Sequence, residues 1–224
     1  MPSFNSIQVI VTTVLLTLED GEPRVVLLSG QDGEQAAGFS LISEVVKGNE
    51  EIKLQEIVKR SLAQQANVVD IYVEQLETVS GASGGDQKDS EPTIHIGYLG
   101  LMPESKMKAA REFSTTIRTF CLDALPSLPH NGRQLVSAAV LRLRRVGPWS
   151  VMPAFLLDEE FTIAQLNRAY DAVVGNNSFG ANFRQKILKA NILIPVGAKH
   201  TDGATRKAVH YSIRPGAFDS DIRL

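Results

Sequence analysis

Glu56-Ile57-Val58-Lys59-Arg60-Ser61-Leu62-Ala63-Gln64-Gln65-Ala66-Asn67-Val68 is the stretch on which the fold turns. Extended back to Glu50, its apolar residues Ile52, Leu54, Ile57, Val58, Leu62, Ala63 and Ala66 recur close to the helical period, which predicts a helix over 50–67. Arg60 stands one turn after Glu56 and is placed to pair with it. The end of the stretch is polar but uncharged, with Ser61, Gln64, Gln65 and Asn67.

β-rich sequence lies on both sides. Ile7 to Leu18 is apolar and β-branched, Glu19 to Pro23 reads as a five-residue turn, and Arg24 to Leu28 as a second strand, so the chain is expected to open with a hairpin. Tyr72–Val79 and Thr93–Met102 also have strand composition, separated by the polar, glycine-rich segment Ser80 to Ser90, read as a loop. Gly132 to Arg145 predicts a linker helix with Leu135, Val136, Ala139, Val140 and Leu143 on one face, stopped by Gly147-Pro148.

Framed in this way, the stretch from Arg60 to Val68 resembles the Nudix box. In that family a helix carries Arg-Glu-U-x-Glu-Glu-x-Gly-U, where U is apolar, and its glutamates hold the divalent metals that activate water on a pyrophosphate. Arg60 and Leu62 fit the frame, whereas Ser61, Gln64 and Gln65 occupy the glutamate positions and Asn67 the glycine. Amides and a hydroxyl do not supply the negative charge that Mg2+ requires. The resemblance therefore implies the fold without its metal chemistry, with no catalytic residue, metal site or cofactor expected. Arg60 and Gln64 are the candidate ligand-binding residues.

Composition sets outer limits. The 224 residues, 43% of them hydrophobic, suffice for one large domain or two smaller ones. A single cysteine, Cys121, excludes an internal disulfide and a cysteine-based zinc site. The four histidines, His95, His130, His200 and His210, have no ligand-like spacing. Met1–Leu18 lacks a basic leader, and no apolar run reaches the roughly 18 residues that cross a bilayer. A cytoplasmic protein without membrane association is the expectation. The net charge of −2 argues against a uniformly basic nucleic-acid binder.

Charge distribution reverses that impression near the C-terminus. Phe161 to Val174 predicts a helix capped by Thr162, with Ile163, Leu166, Ala169, Tyr170 and Val173 inward. Gly175 to Gly180 is the expected turn, and Ala181 to Ala190 a second helix with Phe183, Ile187 and Leu188 as its core side. Ile192–Val196 and Ala208–Ile213 read as the strands of a wing around a basic loop. Between Ala181 and Pro215 seven cations face one acid, Asp202, for a net charge of +6, the footprint of phosphate-backbone binding. Candidate DNA contacts are Asn182, Arg184, Gln185, Lys186 and Lys189 on the second helix, and Lys199, His200, Arg206 and Lys207 in the wing.

The order hairpin, box remnant, Tyr72-Val73-Glu74-Gln75-Leu76, His130-Asn131-Gly132, Phe161-Thr162-Ile163-Ala164-Gln165-Leu166, Asn182-Phe183-Arg184-Gln185-Lys186 and Ala208-Val209-His210-Tyr211 resembles the Nudix-related transcriptional regulators of NAD metabolism. The usual Pro-Gly-Gly before the box is replaced by Phe39 to Glu44. The resemblance implies an α/β fold: a Nudix-like α/β/α sandwich with a mixed sheet over 1–148, which includes the linker helix 132–145, then a winged helix-turn-helix domain over 149–224. It also implies a homodimeric repressor that binds a palindromic operator in double-stranded DNA and senses ADP-ribose or a related nucleotide. Two rivals stand beside it: an active Nudix pyrophosphohydrolase with a basic nucleic-acid-binding appendage, and a metabolite sensor acting through a protein partner. A metal site rebuilt from the out-of-frame Glu44, Glu50 and Glu51 is a further alternative.

Overall fold

Strand β1 (Gln8–Glu19) is buried on both faces along nearly its whole length, and its composition, VIVTTVLLTL, is that of a central strand. It pairs in parallel with β6 (Pro92–Met102), from Gln8↔Thr93 to Thr17↔Met102. On its other side β1 meets β4 (Ile42–Val45), antiparallel over Ile10 to Thr13, and β2 (Glu22–Ser29). The rest of this mixed sheet is β3 (Phe39–Ser40) and β7 (Ile117–Cys121) against β2, and β5 (Tyr72–Ala82) against β6. The structure is a computed structural model that describes residues 7–30, 38–47, 53–82, 92–175, 182–200 and 207–217. The core of the 80–90 loop, the 176–180 turn and the centre of the wing loop lie outside them, as do Glu50, Glu51 and Arg206.

A parallel central pair needs cover on both faces. On one face, α1 (Leu54–Ala66) and α2 (Glu104–Phe113) bury Ile57, Val58, Leu62, Met107 and Ala110 against Val11, Leu15, Tyr98 and Met102. On the other, α3 (Gly132–Val146) comes so close to β6 that a Cβ at Gly97 would stand 2.7 Å from the Leu135 side chain. This is the α/β/α arrangement that the resemblance implies.

Contacts divide the chain into Met1–Thr17 with Arg24–Val140, and Leu18–Pro23 with Leu141–Leu224. The second unit has its own core. Helix α4 (Ile163–Val174) begins with a capping box, in which the Gln165 amide donates to Thr162 Oγ1 and the Thr162 amide to Gln165 Oε1. Its inward residues Ile163, Leu166 and Tyr170 pack on Phe183 and Ile187 of α5 (Phe183–Lys189) and on Phe161, Leu193 and Tyr211 of a small antiparallel sheet. That sheet is ordered β8 (Phe161–Thr162), β10 (Lys207–Ile213), β9 (Leu193–His200).

Several expectations are corrected here. The hairpin turn is two residues, not five: Asp20 and Gly21 both have positive φ, 53° and 80°, the Asp-Gly pattern that matches strand twist, so the strands run on into the expected loop. The wing strands likewise extend beyond their expected ends, to His200 and back to Lys207. Leu188, expected in the core, is 40% exposed, because Ile187 already faces inward and its neighbour turns to solvent. The α2 helix and strands β3, β4, β7 and β8 are further elements that the sequence patterns do not mark. Two of these strands are only two residues long, too short for alternation to register.

Candidate functional site

The box helix is positioned by its ends. Asn67 caps α1 with φ 52° and ψ 37°, and its amide and that of Val68 return to the carbonyls of Ala63 and Leu62. A left-handed cap favours glycine, and asparagine tolerates it best among the rest, which explains Asn at the box-glycine position. Ser61 is buried and its hydroxyl donates to the Val58 carbonyl at 2.9 Å. Gln64 is exposed, while Gln65 donates from Nε2 to the Ser43 carbonyl at 2.9 Å and so ties α1 to β4.

Arg60 is engaged across to the sheet, by Glu44 of β4. Its Nε donates to Glu44 Oε1 at 2.8 Å and its Nη2 to the same oxygen, an ion pair between α1 and β4. The Glu44 carboxylate is thereby engaged with a cation, and no group of three or more acidic, histidine or cysteine side chains fit to hold a metal occurs among the described residues.

Beside this pair opens a cleft of about 290 Å3. It is lined by Ile10 and Thr12 of β1, Ser40 and Leu41, Ser43 to Val45 of β4, Gln65 of α1, His95 of β6, and Pro129, His130 and Gly132 at the start of α3. Neither of the two candidate ligand residues, Arg60 and Gln64, is among the described lining residues, and Arg60 meets the lining at Glu44. Sequence spacing did not bring His95 and His130 together, yet their rings stack at 5.6 Å. Burial first, and the neighbouring His130 second, holds the His95 pKa below its usual 6.5. His95 Nδ1 lies 3.1 Å from Thr12 Oγ1, which in turn accepts from the Ser43 hydroxyl at 3.1 Å. No sequence signal marked these residues, because Thr12, Ser43 and His95 meet through the β1–β6 and β1–β4 registers and His130 through the approach of α3.

In the second unit, Asn182, Arg184, Gln185, Lys186 and Lys189 are all exposed around the buried Phe183 and Ile187. One short helix thus presents a row of cations and amides to solvent. Lys199 pairs with Glu160, Lys207 is exposed, and the His200 side chain lies outside the described set. Tyr170, fully buried, donates to the Ser150 carbonyl at 2.7 Å and meets Phe183 edge-on at 5.3 Å, fixing α4 against α5. Arg214 closes the far end by donating to the Asn191 carbonyl and side chain at 2.8 and 2.9 Å.

These features define the fold class: an α/β/α domain of Nudix-like fold followed by a winged helix. Residues 153–213 match the family model of the NrtR DNA-binding winged helix domain. The fold is similar to that of Shewanella oneidensis NrtR complexed with a 27mer DNA, with a TM-score of 0.83 at 24% identity over 96% of this chain and 97% of that one. It is also similar to a MutT/nudix family protein from Enterococcus faecalis, with a TM-score of 0.68 at 16% identity over 94% and 89% of the two chains. Among curated proteins, the ADPR responsive transcriptional repressor NtrR of Acinetobacter baylyi is 18% identical over 186 residues, which span 82% of this chain and 73% of that one. No helix among the described residues is long and apolar enough to cross a membrane.

Proposed function

We propose that this protein is a DNA-binding transcriptional repressor of NAD-metabolism genes whose Nudix-like domain binds an ADP-ribose-like nucleotide without hydrolysing it. The observation that carries the proposal is the solvent-facing set Asn182, Arg184, Gln185, Lys186 and Lys189 on the second helix of a winged-helix domain. Such a helix fits the major groove, where Arg and Lys suit guanine and Asn and Gln suit adenine, while wing cations meet phosphates. A homodimer would present two copies to a palindromic operator.

The box helix α1 supports the reading that the nucleotide is not hydrolysed. Ser61 is committed to the backbone, Gln65 to Ser43, and Gln64 carries no charge. Effector binding would act by favouring a conformation with different affinity for DNA. The test is selection of bound sites from random duplexes, with and without ADP-ribose. Recovery of a palindrome whose binding changes with ADP-ribose supports the proposal. Absence of salt-dependent binding to any duplex would instead favour a sensor acting through a protein partner.

A further inference from the structure

The solvent side of α5 is divided. At about 100° per residue, Gln185 lies opposite the buried Phe183 and Ile187, and Leu188 and Lys189 stand about 60° to either side of it. Arg184 and Lys186 fall on the two flanks instead, about 80° from the centre of the buried stripe. A helix that packs by one stripe and lies in a major groove turns the opposite stripe to the base edges and its flanks to the phosphate walls. The face that would meet bases is therefore Gln185, Leu188 and Lys189, and one of these three is apolar.

Exposure alone assigns nothing to Leu188, because Val196 and Val209 on the wing strands are as open to solvent. Its place distinguishes it. Leu188 follows Gln185 by one helical turn, so the two side chains are neighbours, about 5–6 Å apart at Cβ. Its end of α5 is also held. The Asn191 amide returns to the Leu188 carbonyl at 3.2 Å, Asn191 makes a left-handed turn with φ 55°, and Arg214 donates to the Asn191 carbonyl and side chain. Ile187, fully buried next to it, fixes the rotation of the helix. Discrimination needs such a rigid support. Against N–H and carbonyl edges a leucine would remove water and return no hydrogen bond. The one methyl group on the floor of the major groove is that of thymine.

We propose that Leu188 is a specificity-determining residue that reads thymine. Its side chain packs on the C5-methyl of one thymine in each half-site, beside an adenine held by the Gln185 amide, with Arg184 and Lys186 on the flanking phosphates. Adenine and thymine on the same or adjacent base pairs present an amide-matching edge next to a methyl group, the complement of the neighbouring Gln185 and Leu188. The operator thereby acquires an A·T preference at a point where the protein places no charge. The inference rests on the reading of this chain as a DNA-binding repressor.

Replacing thymine by deoxyuridine deletes the C5-methyl and keeps every hydrogen-bonding group of the base, so it isolates this contact. In an operator selected from random duplexes with the full chain, each thymine is replaced in turn and affinity is measured by fluorescence anisotropy. Replacement at one thymine per half-site is expected to weaken wild-type binding about fourfold, the effect of burying one methyl group. Leu188→Ala, checked for folding by circular dichroism, should bind the thymine and uracil duplexes equally at that position. Leu188→Met, which keeps an apolar side chain of similar reach, should retain most of the difference. The salt slope of Leu188→Ala should match that of the wild type, since no cation is removed. A specific operator without a methyl-sensitive thymine, or the same methyl sensitivity in Leu188→Ala, would overturn the assignment and leave the repressor reading intact. If no duplex is selected at all, the repressor reading fails and the assignment with it.

Discussion

Arg60 and Glu44 are joined across α1 and β4, with both guanidinium donors converging on a single carboxylate oxygen. The arginine that survives from the box frame therefore braces the helix against the sheet at the rim of the cleft. Both side chains are mostly buried, 30% and 21% exposed, so removal of one leaves the other poorly solvated. Arg60→Met should lower unfolding free energy by about 1–3 kcal/mol in urea titrations. A change below a few tenths would show that the pair contributes nothing net.

Asn67 offers a sharper test of local backbone. Its left-handed cap costs a residue with a Cβ about 1–2 kcal/mol, partly relieved in asparagine. Asn67→Gly, which restores the box glycine, should be neutral or stabilising, whereas Asn67→Ala should destabilise by about 1 kcal/mol. Thermal melts of the two variants side by side are sufficient, and equal losses would contradict the cap argument.

On the second helix, Arg184→Ala and Lys186→Ala should each weaken operator binding. If either side chain contacts a phosphate, the slope of log K against log salt should fall by about 0.9 per contact removed. Anisotropy titrations at several salt concentrations measure both effects. An unaltered affinity and slope in both variants would remove α5 from the interface.

His95 adds a pH dependence with a definite sign. Its folded-state pKa is lowered, chiefly by burial and then by His130, so between that value and 6.5 the unfolded chain binds more protons than the native one. Stability should therefore be full above about pH 6.5 and decline as pH falls through the interval to the folded pKa. His95→Phe, if folded, should flatten this part of the stability profile. A wild-type profile whose slope survives the substitution would assign it to other groups.

Tyr170 reports on the core of the DNA-binding module. Burial pushes its phenol above the ordinary tyrosine range, so the hydroxyl stays protonated and keeps donating to Ser150. Tyr170→Phe deletes that donor while retaining the ring against Phe183, and should cost about 1 kcal/mol. Denaturant unfolding followed by circular dichroism measures it, and a cost near zero would show that the Ser150 carbonyl finds water instead.

Elements whose physics is local can be read from neighbouring residues alone. The apolar period of 54–66 and 163–173, the Thr162–Gln165 capping box and the clustering of cations near the C-terminus are properties of residues close along the chain, and all of these were legible. The resemblance to the Nudix box and to the winged-helix regulators likewise rests on ordered local motifs. Which distant side chains meet depends instead on how the elements pack. Arg60 meets Glu44 because β4 lies alongside α1, and Gln65 rather than Gln64 faces the sheet because the two differ by about 100° around the helix. His95 and His130 were two of four scattered histidines until the β1–β6 register and the close approach of α3 at Gly97 stacked them in one cleft. Periodicity shows which face of an element is buried, but strand register and helix packing choose what that face is buried against.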